Sequence, residues 1–176
     1  PNGLVYADGE FHLFAQYNPF GDKWGHMSWA HATSNDLFSW KQQALAIPEQ
    51  MNADSSTTMI FSGSAVTDSF NTSGFGSREV APMVAIYTSH IDKSGQGLAQ
   101  SQSICYSLDK GKTWQQYKGN PVLDIHLKDF RDPKVFWYAA EKKWVMAVVK
   151  AVEYKVQFYI RQFRGIFKKI LVVYLM

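Results

Sequence analysis

Ser34-Asn35-Asp36-Leu37-Phe38-Ser39-Trp40 returns in looser form as Ser107-Leu108-Asp109-Lys110-Gly111-Lys112-Thr113-Trp114, 73 residues further on by the two serines. Both segments set Ser-x-Asp in a turn, where short oxygen-bearing side chains bond nearby backbone N–H groups. Both then place a Trp at the head of the next apolar run. A recurrence at that distance, filled with short strands, points to propeller blades. The intervening chain agrees. No sustained helical period occurs in the first 150 residues, and short apolar or alternating runs are bounded instead by Gly, Asn, Asp and Pro. Candidate strands run over about 4–7, 11–17, 27–33, 43–47, 60–66, 83–89, 102–107, 113–117, 134–139, 143–150 and 154–159. At about four strands per blade they make roughly two to three blades, too few to close a ring. Asp8-Gly9 reads as a hairpin turn, and Tyr138 to Trp144 as a second hairpin.

Composition supports an all-β fold. Of the 176 residues 15% are aromatic, a class that packs well on pleated surfaces. Cys105 is the only cysteine, so an intramolecular disulfide is excluded; it reads as a small core residue. The net charge of +3 is unevenly spread: residues 151–176 carry five basic residues and one acidic, leaving the first 150 at −1. A near-neutral body argues against a nucleic-acid surface. Asn71-Thr72-Ser73 fits the N-glycosylation acceptor pattern, a weak pointer to secretion. In the last stretch Phe163, Ile166, Phe167, Ile170, Leu171 and Tyr174 fall at helical spacing with Arg164, Lys168 and Lys169 off the stripe. A basic amphipathic helix on a membrane or partner is one reading. The preferred one is a sequence that has lost its original reading by frameshift or truncation, which argues against a membrane role.

Several polar and aromatic clusters interrupt the strands. Pro1-Asn2-Gly3 opens the chain at a turn. Gln16-Tyr17-Asn18-Pro19 ends a strand with amides that can bond hydroxyls. Trp24-Gly25-His26-Met27-Ser28-Trp29 sets two indoles near a loop, a platform for the apolar face of a sugar, and Phe61-Ser62-Gly63-Ser64 allows close backbone approach through Gly63. Finally, Phe130-Arg131-Asp132-Pro133 stands an acid beside a base at the mouth of a strongly apolar strand. In an extended chain Arg131 and Asp132 turn to opposite faces, and Pro133 biases Asp132 toward that conformation.

Together these motifs resemble glycoside hydrolase family 32, the β-fructofuranosidases: invertases, exo-inulinases and levanases. The match rests on Pro1-Asn2-Gly3, Gln16-Tyr17-Asn18-Pro19, Trp24-Gly25, Phe61-Ser62-Gly63-Ser64 and Phe130-Arg131-Asp132-Pro133, and on the neighbouring Asn71-Thr72-Ser73-Gly74-Phe75-Gly76 and Gln100-Ser101-Gln102-Ser103. The resemblance implies part of a five-bladed β-propeller over residues 1–159, with a divergent basic and apolar tail at 160–176 and the family's C-terminal β-sandwich absent. It implies a secreted enzyme that hydrolyses terminal β-D-fructofuranosides of sucrose, inulin or levan with retention, acting on a fructose-containing oligo- or polysaccharide and using neither cofactor nor metal.

Retaining glycosidases need a carboxylate nucleophile and a carboxylic acid around an oxocarbenium-like transition state. By resemblance Asp132 is the third carboxylate of the family, a stabiliser of that state, and Asn2, Gln16, Trp24, Ser62 and Arg131 bind the fructose unit. The family nucleophile is the Asp before Pro-Asn-Gly, and the acid lies in a Glu-Cys-Pro motif; this sequence contains neither, so no hydrolysis is expected of it. The alternative is a fructan-binding propeller remnant without chemistry. A third reading is a different propeller hydrolase, because Ser107-x-Asp109-x-Gly111-x-Thr113-Trp114 also fits the Asp-box turn of sialidases, but that turn is structural, and such sites need an arginine cluster and a tyrosine nucleophile.

Overall fold

The computed structural model describes residues 2–161 and 168–174, and its regular elements there are strands, with two short 3-10 turns at Ala139–Glu141 and Ala151–Glu153. Three antiparallel sheets follow one another along the chain. The first holds β1 (Gly3–Ala7), β2 (Glu10–Tyr17), β3 (Ser28–Ser34) and β4 (Lys41–Gln42) in that order. In the second, β5 (Gln50–Met51), β6 (Thr57–Thr67), β7 (Met83–Lys93), β8 (Gln96–Ser107), β9 (Gln115–Gln116) and β10 (Leu123–Leu127) take the order β10-β8-β7-β6-β5, with β9 also paired to β8. The third runs β11 (Phe130–Tyr138), β12 (Lys143–Lys150), β13 (Lys155–Arg161) and β14 (Lys168–Tyr174). Three blade-like meanders thus stand where the sequence predicts two to three. The Asp8-Gly9 hairpin forms with both residues at positive φ, 51° and 88°, as a tight two-residue turn requires. The Tyr138–Trp144 hairpin forms as well, closing through Lys142 in the left-handed region.

Period-two alternation explains the layering. All residues from Met83 to His90 of β7 are buried, because sheet two has a neighbour on each face. Met83, Ala85 and Tyr87 join Val5, Phe14, Trp29, Ile60 and Cys105 in the core shared with sheet one. Val84 and Ile86, pointing the other way, join Phe130, Val135, Met146, Val148 and Tyr159 in the core shared with sheet three. Each fully buried large side chain of this kind contributes about 1.5–3 kcal/mol. Cys105 is a free thiol in the first core, as expected, and burial pushes its pKa up to about 11. The first long strands of the three sheets stand side by side. A Cβ on Gly3 of β1 would lie 2.9 Å from Ala65 N of β6, and Ser64 Oγ of β6 donates to Pro133 O of β11 at 3.1 Å.

The two Ser-x-Asp segments are the same turn. After β3, Ser34 Oγ accepts from Leu37 N at 2.9 Å, Asp36 Oδ1 accepts from Ser39 N at 2.7 Å, and Trp40 Nε1 donates to Leu37 O at 3.0 Å. After β8, Ser107 Oγ accepts from Gly111 N at 2.8 Å, Asp109 Oδ1 accepts from Thr113 N at 2.9 Å, and Trp114 Nε1 donates to Gly111 O at 3.1 Å. Partial burial raises the Asp109 pKa, but the Thr113 hydroxyl and N–H and the Ser107 hydroxyl outweigh it and hold the carboxyl below its usual range. A group with a lowered folded pKa adds stability above its unfolded pKa and loses it as pH falls through the folded value. Asp109→Ala should therefore cost about 1 kcal/mol at neutral pH. In urea titrations at descending pH, the gap to the parent chain should narrow below the ordinary carboxylate range.

Three expectations need correcting. Residues 43–47 do not form a strand: pairing stops at Gln42, and Ile47 makes a single bridge to Trp29. Ala46 and Ile47 fill the core as coil, with Ala46 N and Trp29 N each bonded across to the other segment. The alternating Leu123-Asp124-Ile125-His126-Leu127 run, left out of the strand reading, is β10. The helical spacing toward the C-terminus does not hold for Lys168–Tyr174, which pair with Lys155–Ile160 as β14. A run in which three of four residues are β-branched, Ile170-Leu171-Val172-Val173, suits the open edge of β13 better than a helix; residues 162–167 lie outside the described residues.

Candidate functional site

Two β-bulges shape one end of the sheets. In β6 the pairing with β7 shifts between Ile60 and Gly63, so Phe61 and Ser62 are out of step. In β11 the pairing with β12 shifts between Arg131 and Lys134, so Asp132 and Pro133 are out of step. Bulges interrupt the ladder and re-aim side chains, and they gather next to functional sites. The expectation of an extended Asp132 is overturned here. Its φ is 62°, and its N–H donates to Thr88 Oγ1 at 3.0 Å. Asp is among the few residues that tolerate this region, and the bulge needs it to absorb the extra residue.

Around the first bulge three sequence candidates meet. The Asn2 side-chain amide, with its oxygen toward Gln16 N at 2.9 Å and Trp29 Nε1 at 3.0 Å, donates to Ser62 Oγ at 3.3 Å. Ser62 Oγ in turn donates to Gln16 Oε1 at 3.1 Å. Asn2 at the head of β1, Gln16 at the end of β2 and Ser62 in the bulge of β6 thus form one hydrogen-bonded group across two sheets. Trp29, read as half of a sugar platform, is fully buried; its indole N–H is taken up by Phe61 O at 2.9 Å. Trp24 alone of the two indoles is open, 70% exposed. It stands edge-on to Phe61 at 6.2 Å, and Phe61 stacks on His90 at 4.3 Å. Beside them opens a cavity of about 500 Å³ lined by Gln16, Tyr17, Lys23, Trp24 and Met27. A cavity of about 660 Å³ lies at the far end of the strands, between Asp8 and Lys110, and contains none of these groups.

Asp132 joins this end through β6, whose Ser64 holds the bulge at Pro133 O. Its carboxyl keeps an exposed edge, yet the protein around it removes enough water to raise its pKa, against the opposing pull of the Arg131 guanidinium. Arg131 itself turns to Asp129, with Nη2 donating to Oδ1 at 2.6 Å. The acid and base adjacent in sequence are therefore not an ion pair. His90, which no sequence signal singled out, is buried beneath Phe61. Desolvation lowers its pKa against Asp92, Arg131 adds to the lowering, and Asp129 opposes it. The Gln100 amide stands against the ring, with Nε2 3.1 Å from His90 Nδ1.

Comparison with known proteins follows the same span. The model of the glycosyl hydrolases family 32 N-terminal domain matches residues 1–162. Levanase from Bacillus subtilis (strain 168) is 54% identical over 149 residues, covering 84% of this chain and 20% of the levanase. An extracellular exo-inulinase from Aspergillus niger is 46% identical over 175 residues, covering 90% of this chain and 33% of that enzyme. Among solved structures, exo-inulinase from Aspergillus awamori superposes with a TM-score of 0.88 at 42% identity, over 98% of this chain and 37% of the enzyme. Fructofuranosidase from Schwanniomyces occidentalis, solved with fructose, gives 0.88 at 39% identity, over 99% of this chain and 34% of that one. The chain thus spans a fifth to about a third of the length of these relatives.

Proposed function

The chain belongs to glycosyl hydrolase family 32, its three sheets being part of the family's propeller, and from that premise we propose that its site holds a terminal β-D-fructofuranosyl unit of a fructose-containing oligo- or polysaccharide. The observation that carries this reading is the Asn2–Ser62–Gln16 group beside the Asp132 bulge. Gln16, Ser62 and Asn2 offer both donors and acceptors, which suits a ring of vicinal hydroxyls. Trp24 offers an open aromatic face to the apolar side of the sugar, and Arg131 a cation at the rim.

Asp132 is read as the transition-state stabiliser. Ionised, it accepts hydrogen bonds from fructose hydroxyls and opposes the positive charge that develops on the ring, at a position where partial desolvation strengthens both effects. The whole enzyme would hydrolyse sucrose, inulin or levan with retention, which also needs a nucleophile and a protonated acid. Residues 1–176 contain no Glu-Cys-Pro run. These 176 residues are therefore expected to bind and not to turn over. In the protein as a whole, 1–159 would be catalytic-domain propeller and 160–176 a divergent tail, and the protein would act outside the cell, in keeping with its extracellular relatives.

The test is calorimetric titration of the chain with D-fructose, beside an assay of fructose release from sucrose and inulin. Saturable fructose binding with no release above buffer is expected. Hydrolysis at the rate of an intact enzyme would refute the assignment of roles, and absence of any fructose binding would refute the site.

A further inference from the structure

A bulge breaks the ladder that would otherwise hold a strand, yet the backbone around Asp132 is bonded at four points. Gln102 Nε2 donates to Phe130 O at 2.7 Å, Asp132 N donates to Thr88 Oγ1 at 3.0 Å, Ser64 Oγ donates to Pro133 O at 3.1 Å, and Val135 N donates to Ser64 Oγ at 2.9 Å. All three side chains come from sheet two, one each from β6, β7 and β8. A fifth bond, Thr88 Oγ1 to Gln102 Oε1 at 2.9 Å, joins two of them. Each of the three residues is fully buried, and each hydroxyl both donates and accepts. Buried polar groups that are completely satisfied in this way fix one geometry, because any displacement strands a donor or acceptor away from water.

We propose that Ser64, Thr88 and Gln102 are positioning residues that set the Asp132 carboxyl at the mouth of the site from the neighbouring sheet, a role that rests on the fructose-binding reading of Asp132. The physical need is plain. A residue before proline prefers extended backbone, whereas Asp132 sits at φ 62°. The bond from its N–H to Thr88 opposes that preference. Without it the residue relaxes toward the extended form and its carboxyl is re-aimed. The frame also ties the carboxyl of one sheet to the strand that carries Ser62, so both move together.

The decisive variant is Thr88→Val, which keeps the shape and removes the hydroxyl. Carboxyl carbon NMR of Asp132 against pH and calorimetry with D-fructose are the two readouts. Thr88→Val should weaken fructose binding about tenfold and bring the Asp132 titration midpoint down toward that of an ordinary carboxylate, and Thr88→Ser should restore both. Val84→Ala, a cavity in the same core on a part of β7 away from the bulge, should lower stability without moving either. The proposal is overturned if folded Thr88→Val keeps the parent's midpoint and affinity, or if Val84→Ala shifts them equally. If the parent does not bind fructose, the binding reading fails by itself and the titration midpoint decides the frame. If Thr88→Val loses its near-ultraviolet dichroism, Ser64→Ala is judged by the same two readouts.

Discussion

Replacing Gly63 by alanine should lower the free energy of unfolding by about 3 kcal/mol or more, a large share of the roughly 5–15 kcal/mol that holds an ordinary domain folded. The added Cβ would lie 2.0 Å from Ile86 O and 2.7 Å from Tyr87 Cα. Both are backbone atoms of β7, so no side chain can rotate to make room. Gly63 also closes the bulge that carries Ser62, and β7 is packed on both faces. Relief would require β6 and β7 to separate, and the two cores on either side would open with them. Gly21→Ala is the control, since a Cβ there meets nothing within 4 Å; its effect should fall within about 0.5 kcal/mol. Urea denaturation of the three chains is the measurement. A Gly63→Ala midpoint matching that of Gly21→Ala would mean the strands are not held at this distance.

The second large effect is on binding. Asp132→Asn should weaken fructose affinity about a hundredfold, because two hydrogen bonds to a charged acceptor, each contributing about 1.5–3 kcal/mol, become bonds to a neutral amide. Asn is the clean replacement, since it is at ease in the left-handed region where Asp132 sits and alanine is not. Stability should move the other way. The folded pKa of Asp132 is raised, so its contribution is fully present below the unfolded pKa and is lost as pH rises through the folded value. At neutral pH the ionised carboxylate is thus a burden on the fold, and Asp132→Asn should raise the urea midpoint there, with the difference vanishing in acid. Loss of stability together with retained fructose binding would show Asp132 to be structural.

Much of the architecture was legible because it is local. The Ser34–Trp40 and Ser107–Trp114 turns bond within themselves, so one short segment suffices to specify each. The Asp8-Gly9 hairpin is legible for the same reason. The missed β10 shows a weaker reading, for its alternation was present in Leu123–Leu127. The stretch at 43–47 failed for another cause. Whether an apolar segment enters a sheet or plugs a core as coil depends on which partner edge is free, and β3 offered Ala46 and Ile47 only isolated bonds. Among the site residues, the polar types at Asn2, Gln16 and Ser62 were readable, but their mutual bonding was not, since they lie on three strands.

The sequence by itself determined an all-β chain of repeated meanders, its family, and the residue types gathered at one end of the sheets. Those properties follow from periodicity, turn chemistry and motif order, all of which are written along the chain. Only the tertiary structure decided that Asp132 is left-handed, that Arg131 turns to Asp129, and that Trp29 is core while Trp24 is open. The same holds for Ser64, Thr88 and Gln102, which bond the Asp132 bulge from another sheet. The reason is that a bulge exchanges ladder bonds for side-chain bonds to distant strands, and no local pattern records which strands those are.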